Sequence, residues 1–137
     1  MRTRLVRAAI LDSYAVLAYL FGELGKDKVV SVLERAAESG ETTLIGAPNW
    51  AEIRYQVERK VGLVQWTAIS EKLLALPIEV LEVGRALAEV AGAIKATRKM
   101  SLADCFAVAL AKARKADLYT GDPEFKSVED EIRVVWI

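Results

Sequence analysis

Short apolar runs alternate with longer amphipathic stretches along most of the chain. The short runs have the length of buried strands, and the longer stretches repeat apolar residues at helical spacing. The predicted strands are 8–11, 42–46, 77–83, 117–120 and 132–137. Strands that are separated by helices form parallel sheets with helices on both faces. The pattern therefore predicts a three-layer α/β/α domain with a central parallel sheet of about five strands.

Details of the pattern place individual strands within this sheet. Strand 8–11 is wholly apolar and is expected in the middle of the sheet, whereas strand 77–83 begins with Pro77 and is expected to start at that residue or to lie near an edge. Pro48 and Asn49 predict the turn into the helix that carries Glu52. The predicted helices are 14–21, 29–37, 51–60, 66–74, 84–97 and 101–115, with a short one after Pro123.

Composition limits the number of domains and the range of partners. The chain has 137 residues, of which 53% are hydrophobic, so it can build one core, and we expect residues 1–137 to form a single domain. The chain has 19 basic residues, Lys and Arg together, and 19 acidic residues, Asp and Glu together. Because its net charge is zero, the molecule as a whole is not attracted to a polyanion. Any nucleic acid must therefore be bound by a local surface.

The chain has no His, which excludes Ser-His-Asp catalysis, histidine general bases and zinc sites with imidazole ligands. A single cysteine, Cys105, excludes an internal disulfide and suits a reducing, cytoplasmic setting. The basic segment Met1–Arg7 is followed by an apolar stretch that Asp12 interrupts, so it does not resemble a signal peptide. No uncharged stretch is long enough for a membrane span. The remaining chemistry is that of carboxylates.

Four acidic residues stand where the topology can bring them to one edge of the sheet. Asp12 and Asp122 each follow a strand, while Glu52 and Asp104 are expected in the first turn of helices that begin near the same edge. Each also has a structural explanation, because acidic residues cap helices or favour their amino-terminal ends. These two explanations remain open for each acid taken alone.

Taken together, four convergent carboxylates need a counter-charge. Two full negative charges about 5 Å apart repel by roughly 3 kcal/mol at an effective dielectric constant of 20. Several such pairs would cost much of the stability of a small domain, which is of the order of 5 to 15 kcal/mol. Hard divalent cations with oxygen ligands, Mg²⁺ or Mn²⁺, are the natural partners of such a cluster.

These acidic segments resemble the four acidic motifs of the PIN domain. The resemblance covers essentially the whole chain, and its size and helical content are similar to those of the VapC toxins of type II toxin–antitoxin systems. Its most specific part is the Thr-Gly-Asp-Pro-Glu-Phe segment. The matching segments are Ile10–Ser13, Asn49–Glu52, Ser101–Asp104 and Leu118–Phe125.

This resemblance implies an endoribonuclease that depends on Mg²⁺ or Mn²⁺. Asp12, Glu52, Asp104 and Asp122 would bind one or two ions, with Asp12 and Asp104 as the direct ligands and the other two completing the shell. The metal would lower the pKa of a water molecule, and in-line attack by this water would leave a 5′-phosphate and a 3′-hydroxyl.

The resemblance also assigns supporting roles and shows two departures. Ser13 and Thr120 match positions where the family carries a small hydroxyl that supports the metal shell. Tyr14 stands where the family often has a small residue, and Glu124 is not expected to be a fifth ligand. Tyr14 is instead expected in the core, as are the other apolar residues of its helix.

Candidate RNA contacts and partners follow from the same comparison. The basic residues nearest to the inferred acidic edge are Arg54, Lys95, Arg98 and Lys99, which could also be solvated helix-end charges. The resemblance implies a cognate VapB-like antitoxin that covers the cleft, and a homodimer. No membrane partner is expected.

Two other functions are compatible with the sequence. The chain could be a catalytically degenerate PIN domain that serves as a binding or scaffold subunit, although the presence of all four acids argues against this. It could also be a phosphoryl-transfer enzyme that uses Asp12 as a nucleophile. Enzymes of the haloacid dehalogenase type would need a second acid two residues later, where this chain has Tyr14.

Overall fold

The computed structural model describes residues 7–137, so most of the basic segment Met1–Arg7 lies outside the described residues. The strands are β1 (Ala9–Leu11), β2 (Thr43–Gly46), β3 (Ile78–Leu81), β4 (Asp117–Thr120) and β5 (Val134–Trp136). They form one sheet in the order β3-β2-β1-β4-β5, and every neighbouring pair is parallel. The predicted parallel five-stranded sheet is confirmed.

The positions of two strands in the sheet agree with their sequences. β1 is the central strand, and β3 is an edge strand that begins directly after Pro77. In the pairing of β1 with β4, Ala9 lies opposite Asp117 and Leu11 lies opposite Tyr119. Because the two strands are parallel and in this register, Asp12, which follows β1, and Thr120, the last residue of β4, lie at the same edge of the sheet.

Six α-helices and one 3₁₀ helix connect the strands within residues 7–137. The α-helices are α1 (Ser13–Phe21), α2 (Lys26–Ser39), α3 (Ala47–Val61), α4 (Leu63–Ala75), α5 (Arg85–Thr97) and α6 (Leu102–Arg114). The 3₁₀ helix, Pro123–Val128, connects β4 to β5. It corresponds to the short helix that was predicted after Pro123.

The start of α3 differs from the sequence-based expectation. Pro48 and Asn49 lie inside the helix, which begins at Ala47, rather than in a turn before it. Proline is tolerated in the first turn because the backbone N–H groups there have no partner within the helix. Glu52 therefore lies in the second turn of α3, and its expected place in the first turn was wrong.

Alternation along the buried strands divides the core into two halves. In β1, Ala9 and Leu11 pack with the helices on one face of the sheet, α1 to α4, and Ile10 packs with α5 and α6 on the other. In β4, Tyr119 packs with α1 to α4 and Leu118 packs with α5 and α6. Since successive side chains of a strand point to opposite faces, these all-buried strands produce the three-layer α/β/α fold.

Within the described part of the chain, the helices are too short and too polar for any of them to cross a lipid bilayer.

Candidate active site

Asp12 follows the central strand and caps the helix that comes after it. One of its carboxylate oxygens, Oδ1, accepts a hydrogen bond of 2.8 Å from the backbone N–H of Ala15, which satisfies a donor in the first turn of α1. A hydrogen bond with the Thr120 side chain also stabilises the charged carboxylate. The residue is 1% exposed. Asp12 is therefore held at the edge of the sheet by groups from both α1 and β4.

Glu52 reaches the same place from α3 and is held by hydroxyl groups. The hydroxyl of Ser13, the residue after Asp12, donates to Oε1 of Glu52. The Tyr55 hydroxyl donates to Oε2 of Glu52 over 3.4 Å. The contact between Ser13 and Glu52 joins α1 to α3 across the edge of the sheet.

Asp104 lies in the first turn of α6, as its sequence context predicts. The Ser101 hydroxyl accepts a hydrogen bond of 3.2 Å from the backbone N–H of Asp104, so Ser101 is the N-cap of this helix. Asp104 is 6% exposed. The cap fixes the direction in which α6 begins, and with it the position of the buried carboxylate.

The loop after β4 positions Asp122 by two short-range hydrogen bonds. The Thr120 hydroxyl accepts a bond of 3.0 Å from the backbone N–H of Asp122. Asp122 Oδ1 accepts a bond of 2.9 Å from the backbone N–H of Glu124 and so caps the 3₁₀ helix. Phe125, the next residue, is completely buried and anchors the loop to the core.

Three carboxylates converge closely at this edge. Asp104, Asp122 and Glu124 each have an oxygen atom within 4.8 Å of the other two. The first two were predicted site residues, whereas Glu124 was not expected to be a ligand. Pro123 predicts that a helix starts there, but the sequence does not indicate that this helix is a 3₁₀ helix that brings Glu124 into the group.

All four predicted acids and Glu124 line a single cleft of about 240 Å³. Asp12 and Glu52 line it beside the group of three that includes Asp104. The lining is otherwise polar or small, with Tyr14 and Leu17 of α1 as the apolar part. Its residues are Asp12, Ser13, Tyr14, Leu17, Glu52, Gln56, Ser101, Asp104, Asp122 and Glu124.

Burial and mutual repulsion make the two deepest carboxylates hard to ionise. Burial raises the pKa of Asp12 to about 7, and the charges of Asp104 and Asp122 add to the increase. The hydrogen bonds of Asp12 with Thr120 and Ala15 act in the opposite direction and lower its pKa. Burial likewise raises the pKa of Asp104 to about 7, and the charges of Asp122, Glu52 and Glu124 add to the increase. The cleft is thus a concentration of negative charge without a basic side chain among its lining residues.

The donors in this cleft fit a hard divalent cation. All of the convergent charged groups are carboxylates, which Mg²⁺ and Mn²⁺ prefer, and the spacing of the three closest oxygens allows them to surround one ion. A cation would also remove the repulsion that raises the pKa of Asp12 and Asp104. The described residues offer no cluster of softer ligands at this edge, since His is absent from the chain and Cys105 is buried.

The predicted basic residues do not line the cleft. Arg54 pairs with Glu58 over 3.3 Å, and Arg98 binds Glu131 and the Ser127 carbonyl. Lys95 donates a hydrogen bond of 2.6 Å to the Met100 carbonyl. Lys99 is exposed near the end of α5. Contact of these four residues with RNA stays a prediction.

The cap of α6 provides a first test of how the site is supported. Replacing Ser101 by Ala should lower the free energy of unfolding by about 1 kcal/mol, because the Asp104 N–H loses its partner. Urea unfolding monitored by circular dichroism measures this. Ser101→Thr retains a capping hydroxyl and serves as the control. Equal stability of the Ala variant and the unmodified protein would contradict the assigned cap.

Comparison with known proteins agrees with the geometry. A search of curated proteins finds no match. Solved structures with the same fold include VapBC2 from Rickettsia felis bound to a DNA fragment from its promoter, with a TM-score of 0.77 at 18% identity over 95% of this chain and 98% of that one. DNA-bound VapBC from Salmonella typhimurium has a TM-score of 0.74 at 20% identity over 95% and 98% of the two chains.

A third neighbour is VapC20 from Mycobacterium tuberculosis, described as a toxin that cleaves the sarcin-ricin loop. Its TM-score is 0.71 at 17% identity over 88% of this chain and 95% of that one. At these identities the similarity shows a shared fold. The family model of the PIN domain, however, matches residues 9–131 of the sequence itself. This range begins with β1 and extends past the 3₁₀ helix Pro123–Val128. The chain therefore belongs to the PIN domain family.

Proposed function

We propose that this protein is an endoribonuclease of the VapC toxin type that uses Mg²⁺ or Mn²⁺ to hydrolyse RNA phosphodiesters. The observation that carries the proposal is the convergence of Asp104, Asp122 and Glu124 within 4.8 Å in a cleft that Asp12 and Glu52 also line. Five carboxylates in one cleft, of which Asp12 and Asp104 are buried, destabilise the fold unless they bind a cation. Their retention in a small domain points to a function for that cation.

The residues of the cleft would act mainly by holding their charges in place. A divalent ion, when bound, supplies an activated water and offsets charge on the phosphate. We assign Asp12, Glu52, Asp104 and Asp122 to binding it, together with Glu124. Because hydroxyl and backbone donors already fix Asp12, Glu52 and Asp122, little rearrangement is needed when substrate arrives. Ser13 and Thr120 are the supporting residues.

The geometry argues against the two alternative functions. A nucleophilic aspartate must be accessible to substrate, whereas Asp12 is 1% exposed and engaged by Ala15 and Thr120. A degenerate scaffold would be under no constraint to keep five carboxylates in one cleft at a cost in stability. Neither alternative explains why hydroxyl groups orient these acids.

RNA as substrate and an antitoxin as partner are supported by the structural neighbours. VapC20 is described as cleaving the sarcin-ricin loop, and the Rickettsia and Salmonella structures are VapBC complexes. Exposed apolar side chains at the α3–α4 corner offer a surface for a protein partner, either the antitoxin or a second copy in a homodimer. They are Val61, Leu63 and Val64. We place this activity in the cytoplasm, where RNA and a reducing environment coincide.

Incubation with purified cellular RNA tests the reaction. With Mn²⁺ or Mg²⁺ the protein should cut RNA and leave 5′-phosphate and 3′-hydroxyl ends, because the attacking group is water rather than the RNA 2′-hydroxyl. Ligation-based sequencing maps these ends, and EDTA should abolish them. Ends that carry a 2′,3′-cyclic phosphate, or cutting that persists in EDTA, would contradict the proposal.

A further inference from the structure

Tyr14 differs from the other apolar residues of α1, because it is 41% exposed and lines the acidic cleft. The expectation that it belongs to the core was wrong. Its exposure and its position in the lining place its side chain at the mouth of the cleft. The larger apolar residues that follow it in the helix pack against the core as expected, namely Leu17, Tyr19, Leu20 and Phe21.

The ring of Tyr14 rests on the backbone of Gly121, in the loop between Thr120 and Asp122. A Cβ atom placed on Gly121 would lie 2.7 Å from Cζ of the Tyr14 ring and 3.0 Å from its Cδ1, which is closer than side chains normally approach. Gly121 is not among the glycines with positive φ. It is therefore glycine because the ring needs the space, not because the backbone needs an unusual conformation. The contact places an exposed ring against the loop that carries Asp122.

An exposed aromatic ring at the mouth of a cleft that is proposed to act on RNA suits a nucleobase. Bases stack on aromatic side chains, and this is worth about 1–3 kcal/mol per base in single-stranded complexes. Leu17, one turn later, continues the apolar surface along the cleft.

Building on the endoribonuclease function proposed above, we propose that Tyr14 is a substrate-positioning residue that stacks on the nucleobase next to the scissile phosphate. A base can reach it only when it is unpaired or turned out of a helix, because a paired base presents its edges and not its face. Stacking gives little sequence preference by itself, since every base has an aromatic face.

The test combines ring variants with a substrate that lacks the base. Tyr14→Phe keeps the ring, and Tyr14→Leu keeps an apolar side chain that still permits Gly121 but cannot stack. On a single-stranded RNA that carries a mapped cut site, the Leu variant should raise KM roughly tenfold with kcat changed less than about twofold, and the Phe variant should match the unmodified protein. On an RNA with an abasic nucleotide beside the cut, the KM of the unmodified protein should also rise roughly tenfold. On this RNA the Tyr14→Leu variant and the unmodified protein should have the same KM.

Three results would overturn the assignment of Tyr14. In the first, the Leu variant is weaker than the unmodified protein by the same factor on the intact and the abasic RNA. In the second, the Phe variant has a KM as high as that of the Leu variant. In the third, the Leu variant has a lower kcat and an unchanged KM. The first would show that Tyr14 has only a structural role, and the second would show that its hydroxyl is the important group.

A binding measurement separates this proposal from the proposed reaction. A short single-stranded RNA that contains 2-aminopurine should lose fluorescence through stacking when it binds the unmodified protein or the Tyr14→Phe variant, and not when it binds Tyr14→Leu. If the protein cleaves no RNA but shows this ring-dependent quenching, the nuclease function fails and the stacking site stands. Equal quenching by the Leu variant, or no RNA binding, would overturn the stacking site.

Discussion

Replacing Asp104 by Asn should reduce metal-dependent RNA cleavage by at least about 100-fold while the protein remains folded. Loss of groups outside the first coordination shell already costs about 10- to 100-fold in metal sites, and Asp104 lies in the group of three closest carboxylates. Asn has the same shape and leaves the N–H of residue 104 on the Ser101 cap. Initial rates of RNA cleavage in Mg²⁺ or Mn²⁺ measure the loss.

Asp12→Asn should have the same effect on cleavage. Asn is as good an N-cap as Asp, so the bond from the Ala15 N–H to residue 12 is kept and α1 remains capped. Asp12→Ala would remove the cap as well and lower the free energy of unfolding by about 1 kcal/mol. Comparing the two variants separates the contribution of Asp12 to the site from its contribution to folding.

The control for both variants is Glu34→Gln, which removes an exposed carboxylate of α2 that does not line the cleft. It should cleave RNA at the normal rate. If Asp104→Asn or Asp12→Asn retained more than about a tenth of the activity with an unchanged thermal transition, the metal-binding assignment would be wrong. A loss of activity accompanied by a lower melting temperature would instead point to a structural role.

Asp12, Asp104 and Asp122 show why sequence patterns can predict that acidic residues converge at one edge of the sheet. The sequence allows each of them a role at a helix start or a role in an acidic cluster, and each lies both at a helix start and in the cleft. A carboxylate has two oxygens, so Asp122 can accept the Glu124 N–H at Oδ1 and still present an oxygen to its neighbours. The ends of parallel strands and the first turns of helices are local features, and they meet at one edge because the sheet is parallel.

Features that depend on contacts between distant segments were not predictable in the same way. The exposure of Tyr14 depends on Gly121, which is more than a hundred residues away, and helical periodicity alone assigned Tyr14 to the core. Glu124 enters the site because the turn after Asp122 is a 3₁₀ helix, which sequence did not distinguish from an α-helix. The start of α3 was misplaced because proline is as compatible with a first helical turn as with a loop.

In the absence of metal, the free energy of unfolding should fall as the pH rises from 5 to 7.5. The pKa values of Asp12 and Asp104 are raised to about 7 in the folded protein from 3.8. Between these values the folded state holds protons that the unfolded state has released. The stability that this contributes is fully present below pH 4 and is lost as the pH rises through about 7, by up to about 1.4 kcal/mol per pH unit for each group.

Other shifted groups lie outside this pH window. The Lys112 and Arg98 partners of Glu131 lower its pKa below 4.5, so its contribution is lost only as the solution becomes more acidic. Burial raises the pKa of the Cys105 thiol above 9, so it does not titrate below pH 7.5. Urea unfolding in EDTA at pH 5 and pH 7.5 therefore isolates the two aspartates, and the double variant with Asn at positions 12 and 104 should show a much smaller difference.

Divalent metal should reverse the effect at the higher pH. Mg²⁺ or Mn²⁺ binds the ionised carboxylates of the folded protein, so it should stabilise strongly at pH 7.5 and weakly at pH 5, where protons compete for Asp12 and Asp104. The double Asn variant should lose most of this stabilisation. We infer that burial and repulsion keep these carboxyl groups protonated until a cation replaces the proton. A free energy of unfolding that rises between pH 5 and pH 7.5 in EDTA would contradict this inference. Equal stabilisation by the metal at both pH values would also contradict it.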